Sequence, residues 1–363
     1  MLVDPDFWRG RRVFLTGHTG FKGAWLALWL TELGAEVTGL ALPARDPSLF
    51  RKAQIEQLVI SIEGDIRDPA VVEDAMRLAR PEVVFHLAAQ PLVRLSYDEP
   101  CETFATNVQG TAHVLDTCRR VESVKAIVAV TSDKCYANRE WAWPYRESDT
   151  LGGHDPYSAS KAAAEIVIAS WRSSFFADPR GPLLASVRAG NVIGGGDWAK
   201  DRLVPDIIRA VTVGEPAVIR SPTSLRPWQH VFEALGGYLL IAQHLALGDQ
   251  SKATAWNFGP SPNDAKPVLW IVQRMIDRWG HGSFRIGEDQ AAHEAKLLTL
   301  DCSKAQAELG WRPSFDLKAT IDQIIDWHRA VAEGADALAI SRDQLAAYQK
   351  LMHAALSTES DFL

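Results

Sequence analysis

No stretch of this sequence reaches the about 18 uninterrupted apolar residues that a bilayer-crossing helix requires, which argues against a helical membrane protein. Cysteine is scarce: Cys101, Cys118, Cys135 and Cys302 are scattered and form no CxxC pair. That scatter argues against a disulfide framework or a redox pair and for reduced thiols. Nowhere do histidine, cysteine and acid fall at metal-ligand spacing, so no metal is expected. Basic residues are not in excess. A formal charge of −7 argues against a broad nucleic-acid surface. The opening "MLVDPDFWRGRRVFLTG" starts acidic and lacks the apolar core of a signal peptide, so the expected location is the cytoplasm.

What is present is a folded-chain composition, 47% hydrophobic and 23% charged, in 363 residues. That length suits one large domain with an appended lobe. From residue 11 strand and helix patterns alternate. "RRVFLT" reads as a strand, and "FKGAWLALWLTELG" as a helix stopped by Gly34. "AEVTGLAL" and "QLVISIEGDI" read as strands, and "DPAVVEDAMRLAR" as a helix with Asp68 as its cap and Pro69 in its first turn. "EVVFHLAA" is a buried strand, the stretch from Tyr97 to Val121 a long helix, "KAIVAVTS" a strand, "YSASKAAAEIVIASW" a helix and "LLASVRAG" a sixth strand. Such alternation implies parallel pairing through right-handed crossovers, hence an α/β, doubly wound (Rossmann) parallel sheet. After about Gly190 the rhythm breaks into clusters of glycine, proline and tryptophan. The expected division is 1–190 as dinucleotide-binding domain with the catalytic residues. Residues 191–345 form mainly a smaller substrate lobe, interleaved with late elements of the sheet, and 346–363 a C-terminal tail.

"TGHTGFKG" sets Gly17, Gly20 and Gly23 three apart, directly after the first strand and opening the first helix. Glycine there permits a tight turn and lets backbone amides approach a pyrophosphate at the helix terminus. Thr19, Phe21 and Lys22 belong to the same loop. Asp65, ending the third strand beside Ile66, suits a hydrogen bond to an adenine amino group, or a plain turn. Leu87, Ala88 and Ala89 follow the fourth strand, where small side chains let a cofactor pass. The acid that usually ends the second strand and binds a ribose hydroxyl is missing: "VTGLALPAR" offers only Arg45. The choice between NAD and NADP stays open on the residues. His86, in an apolar strand, reads as a satisfied core histidine.

"DPYSASK" places Tyr157 and Lys161 four apart on one helix face. Free tyrosine titrates at about 10, so a base near neutrality needs a shift of about 3 pH units, roughly 4 kcal/mol. A lysine one turn away supplies charge of the right sign. Ser132, ending the fifth strand, can bond the same substrate oxygen. Beside it "SDKC" sets Asp133 and Lys134 next to each other. In a strand they would face opposite ways, so they can cooperate only if the chain turns there. A rim ion pair is the alternative.

These residues resemble the extended short-chain dehydrogenase/reductase superfamily. Within it they are similar to the nucleotide-sugar 4,6-dehydratases, most closely the CDP-glucose members. "GHTGFKGAWL", "HLAAQPLVRLSY", "TSDKCY", "GGHDPYSASK", "RAGNVIGGGDW", "RPWQHV", "WNFGP" and "LDCSKAQAELGW" carry the resemblance along nearly the whole chain. It implies NAD as cofactor, CDP-glucose as substrate and a homo-oligomer, dimer or tetramer. It also implies oxidation at C4 of the hexose, loss of water across C5–C6, and return of hydride to C6. In that scheme Tyr157 is the C4 base, assisted by Lys161 and Ser132. Asp133 protonates the leaving hydroxyl, and Lys134 takes and returns the C5 proton. On the substrate side Gln90, Arg94, Asn191, Trp198, Arg220 and Arg226 are the expected contacts; the planar fork of Arg226 suits a diphosphate. A nucleotide-sugar 4-epimerase would use the same glycine loop and Tyr/Lys pair, and a non-catalytic dinucleotide-binding protein the loop alone.

Overall fold

The computed structural model describes residues 3–178, 180–287 and 297–360. Seven strands form its central sheet: β1 Arg12–Thr16, β2 Glu36–Ala41, β3 Ile60–Glu63, β4 Val83–His86, β5 Ala126–Val130, β6 Leu183–Ala189 and β7 Ala255–Phe258. They are all parallel, in the order β7-β6-β5-β4-β1-β2-β3. The middle strands are buried along their whole length, as near-continuous Val, Ile and Ala runs require when helices cover both faces. Strand order reverses between β1 and β4. In open α/β sheets the crevice outside the carboxyl ends at such a reversal is where ligands bind. Thr16 pairs with His86 there, so the glycine loop leaves β1 directly beside Leu87.

The helices follow local chemistry. Helix α1 (Phe21–Glu32) starts at Gly20 and stops before Gly34, whose φ of +83° only glycine adopts readily. Helix α2 (Pro69–Ala79) has Asp68 accepting from the Ala70 amide at 2.9 Å and Pro69 in its first turn, as its sequence predicts. The single helix expected from Tyr97 to Val121 is instead several pieces. A turn Val93–Asp98 breaks at Glu99 (φ −128°, ψ 61°), because the following Pro100 disfavours helical geometry in the residue before it. The chain restarts over Pro100–Phe104, widens into a π turn at Ala105–Gln109 and continues as α3 (Gly110–Cys118). Helix α4 (Pro156–Ser174) crosses from β5 to β6.

Beyond β6 lie α5 (Leu203–Val213), α6 (Val231–Ala246), α7 (Val268–Trp279) and α8 (Leu317–Ala332). Helix α6 is buried almost all round and packs under β5 and β6. Helices α5, α7 and α8 enclose a second apolar cluster, including Ile207, Val211, Ile271, Met275, Ile321 and Ile324, apart from those around the sheet. Strand β7 comes from this late stretch and pairs with β6 from Ala255↔Ser186 to Phe258↔Ala189. Among the described residues no helix is long and apolar enough to cross a membrane.

Candidate active site

The glycine loop and the end of β4 touch. Gly17 has φ +78°, and a Cβ on it would lie 2.7 Å from the Ala88 backbone nitrogen. A Cβ on Gly23 would lie 2.0 Å from the Gly17 carbonyl oxygen. No side chain caps α1 at Gly20, which leaves its first-turn amides to a ligand. Thr19 donates to the Leu42 carbonyl at 3.0 Å, and Phe21 packs toward Gly194 in the glycine run after β6. This cradle fits the diphosphate of a dinucleotide: Gly17, Gly20 and Gly23 bring backbone close together, and the first-turn amides at Gly20 have no side-chain cap.

Beneath the loop runs a one-way hydrogen-bond chain. The Thr16 hydroxyl accepts from the Leu87 and Ala88 amides, each at 3.2 Å, and donates to His86 Nδ1 at 2.8 Å. His86 Nε2 in turn donates to Thr111 Oγ1 at 2.9 Å, whose hydrogen goes to the Asn107 carbonyl at 2.7 Å. Burial pushes His86 down to about 3, so it is neutral and fully bonded. Asp65 presents no free carboxylate: Arg67 donates to it through Nε at 2.8 Å and Nη2 at 2.6 Å, holding it below the usual carboxylate range. Ile66 is buried under Gly110, Ala89 is half-buried, and Arg45 is exposed.

Strand β5 ends at Val130, and the chain turns at once into a 3-10 turn, Asp133–Cys135. Ser132 caps it, its Oγ accepting from the Lys134 amide at 3.2 Å. Strand alternation therefore stops before Asp133 and Lys134. The Asp133 side chain turns inward, is 4% exposed and accepts from the Ser132 hydroxyl at 2.9 Å. It fits because residue 190 is glycine; a Cβ there would lie 1.8 Å from Asp133 Oδ2. Lys134 is half-buried and forms no ion pair among the described residues.

Asp155 caps α4 by accepting from the Ser158 amide at 2.9 Å, and so presents Tyr157 and Lys161 on the helix's first two turns. Both are buried. Burial pushes the Tyr157 phenol up, to about 12, while the Ser132 hydroxyl pulls it back and the Asp133 carboxylate raises it further. This is opposite to the shift a base needs. Local spacing supplied Lys161 but could not report how completely the ring is enclosed. Burial also pushes Lys161 down, to about 8, against the Glu165 carboxylate. Lys22 is pushed to about 7 by burial, then by Lys161 and Arg202, with Asp133 opposing.

Sequence spacing gave no sign of several residues that join these parts. Asn107, in the π turn, accepts from the Gln90 amide at 2.8 Å and donates to Ser160 Oγ, also at 2.8 Å, tying the loop after β4 to α4. π turns recur at functional sites, but nothing in the sequence marks this one. Gln90 is occupied locally, its side-chain amide donating to the Leu92 carbonyl and the Thr103 hydroxyl. Arg94 and Arg220 converge on Asp201 Oδ1 at 3.5 and 3.2 Å. Asn191 sits at φ +49°, just past the glycine that makes room for Asp133. Trp198 rests on Trp327 and His328, with ring centroids 5.6 and 5.5 Å away. Arg226 lies in a short strand, Leu225–Pro227, paired with Ala265–Pro267.

Residues 14–324 match the family model for GDP-mannose 4,6 dehydratase. The chain belongs to this dehydratase family. A CDP-glucose 4,6-dehydratase of Salmonella typhimurium is 51% identical over 353 residues, 96% of this chain and 98% of that one. A dTDP-glucose 4,6-dehydratase of Mycolicibacterium smegmatis is 27% identical over 88% of this chain and 93% of its own. Among solved structures, MoeE5 in complex with UDP-glucose and NAD is 26% identical, with a TM-score of 0.74 over 88% of this chain and 99% of MoeE5. DesIV, a dTDP-glucose 4,6-dehydratase from Streptomyces venezuelae, shares the fold with a TM-score of 0.77 at 22% identity, covering 90% of this chain and 99% of its own.

Proposed function

We propose that the protein converts CDP-glucose to CDP-4-keto-6-deoxyglucose and water, with NAD restored within each turnover. One observation carries this reading beyond a generic dehydrogenase. A buried carboxylate, Asp133, and a half-buried amine, Lys134, leave a tight turn beside Ser132, and Tyr157 feels both the Ser132 hydroxyl and the Asp133 charge. When bound in the glycine cradle, NAD supplies a hydride acceptor and later donor, and a positive ring charge. Tyr157 takes the proton of the C4 hydroxyl, with Ser132 bonded to the same oxygen and Lys161 and Arg202 favouring the phenolate. The C4 ketone acidifies the C5 proton, which passes to Lys134. The proton that Tyr157 took passes through the Ser132 hydroxyl to the Asp133 carboxylate, and Asp133 then gives it to the C6 hydroxyl, which leaves as water. A proton from Lys134 then returns to C5 as hydride reaches C6.

The substrate's diphosphate is met by Arg226 and by the Arg94 and Arg220 pair, for which Asp201 holds the place. Gln90, Asn191 and Trp198 border the sugar. Residues up to 190 carry cofactor and catalysis and those from 191 to 345 mainly the nucleotide sugar; the stretch from 346 expected as a tail instead continues the helix Ala337–Ser360, whose buried Tyr348 donates to Glu233 at 2.7 Å. The protein works as a homo-oligomer in the cytoplasm. Exposed Tyr97, Phe104 and Ile166 on neighbouring helices support the first statement, and the exposed free thiol of Cys101 the second.

The test is incubation with CDP-, UDP-, dTDP- and GDP-linked hexoses, followed by mass measurement. CDP-glucose is expected to lose one water far faster than the others. A product of unchanged mass with C4 inverted would assign the site to epimerisation, and binding without turnover would deny it catalysis.

A further inference from the structure

We propose that Glu165 is a positioning residue for this reaction: its carboxylate, held by Thr131, Ser186 and Arg188, keeps Lys161 in its charged form and fixes the end of β5 against α4. Tyr157, Lys161 and Glu165 fall four apart and share a face of α4. Glu165 is buried, its side chain 3% exposed. One oxygen accepts from the Thr131 hydroxyl at 2.5 Å; the other accepts from Ser186 at 2.9 Å and from Arg188 Nη2 at 2.8 Å. Thr131 immediately precedes Ser132. The carboxylate that faces Lys161 thus also tethers the segment bearing Ser132 and Asp133. Arg188 Nη1 donates to the Tyr136 hydroxyl at 2.7 Å and the Glu147 carbonyl at 3.1 Å, holding the guanidinium between β6 and the turn after β5. Such an arrangement carries a desolvation cost wherever it is buried, so its presence beside the catalytic helix asks for a role.

Among the described residues, the titratable groups that act with Lys161 are Glu165 from its own helix, Cys135 from the turn after β5, His86 from β4 and Lys22 from α1, with Tyr157 one helical turn before it. His86 is neutral, and burial holds the Cys135 thiol neutral. Lys22 is of like sign and opposes the charge. Among these groups Glu165 is the anion. Burial alone drives Lys161 toward neutrality, and Glu165 is the first force against it.

The sign of the effect follows. Lys161 must keep its proton to stabilise the Tyr157 phenolate, so turnover declines as pH rises through the Lys161 midpoint. Removing the Glu165 charge lowers that midpoint, and the alkaline limb moves to lower pH. The inference rests on the assignment of Tyr157 and Lys161 to the C4 hydroxyl. Its test therefore includes a reading that needs neither substrate nor turnover: the pH titration of 13C-labelled lysine side chains by NMR, with the Lys161 signal identified by its loss in K161M. In E165Q the Lys161 midpoint and the alkaline limb of kcat are expected to fall together by about one pH unit. In E165D, which keeps the charge but shortens the reach, the midpoint is expected to stay near that of the parent. Gln at 165 leaves Arg188 without its counter-ion, so E165Q/R188M is prepared alongside. It removes both buried charges and is read in the same way should the single variant not fold. A lowered melting temperature with unchanged midpoint and limb, or equal shifts in the Asp and Gln variants, would overturn the proposal. A shifted midpoint in a protein that dehydrates nothing would instead leave the Glu165–Lys161 coupling standing and remove the dehydratase reading.

Discussion

At the scale of single residues, the decisive feature is a missing side chain. Asp133 can turn into the site because Gly190, arriving from the next strand of the sheet, leaves its space open. Adding one methyl there must move the carboxylate or the strand end. A displacement of about 1 Å at a reacting group can cost about a hundredfold in rate. Gly190→Ala is accordingly expected to fold, to bind nucleotide, and to lose about a hundredfold in kcat for water loss, measured beside a melting curve. Near-parental turnover would mean that Asp133 does not act from this notch. Tyr157, Lys161, Ser132 and the Asp133–Lys134 pair were legible because each lies within a few residues of its partner. The notch at Gly190, the acid shared by Arg94 and Arg220, and the Arg67 hold on Asp65 were not. The first two depend on residues brought in from distant elements. The third shows a carboxylate claimed by its own neighbour, where the sequence offered a ligand contact or a turn with equal ease.

At the scale of elements, the cofactor cradle is held from below by the chain from Thr16 through His86 to Thr111, which joins β1, β4 and α3. His86 was readable as a core histidine from its apolar strand; its partners were not. Thr16→Val would strand the Ala88 amide and His86 Nδ1. The expected result is a loss of about 1–3 kcal/mol in denaturant unfolding with weaker NAD binding. Thr16→Ser, which keeps the hydroxyl, should restore both. Strands and helices of the first half were legible from apolar runs, caps and glycine stops. The run from Tyr97 to Val121 is not the one helix expected, because Pro100 disfavours helical geometry at Glu99 and the chain breaks there. Strand β7, within "AWNFGP", is too short and too close to turn residues to stand out. It becomes a strand because β6 offers an open edge.

Over the whole molecule, the sheet with its reversal between β1 and β4 brings three carboxyl-end segments together: the glycine loop, the loop after β4 and the turn after β5. The second apolar cluster, around α5, α7 and α8, stands beside the loop from Asn191 to Arg202. The doubly wound class followed from alternation alone. That late elements rejoin the sheet was expected; which segment does so, Ala255–Phe258, was not, because its pairing is tertiary and has no local sign. The central claim is that one site both removes and restores a hydride, at two carbons of the same sugar. It is tested most directly with CDP-glucose carrying deuterium at C4, mixed with unlabelled CDP-glucose and turned over in ordinary water. The account predicts that the label reappears at C6 of the same molecule, with hydrogen from water at C5 and no exchange of label between molecules. Label lost to solvent, retained at C4, or spread among product molecules would contradict it.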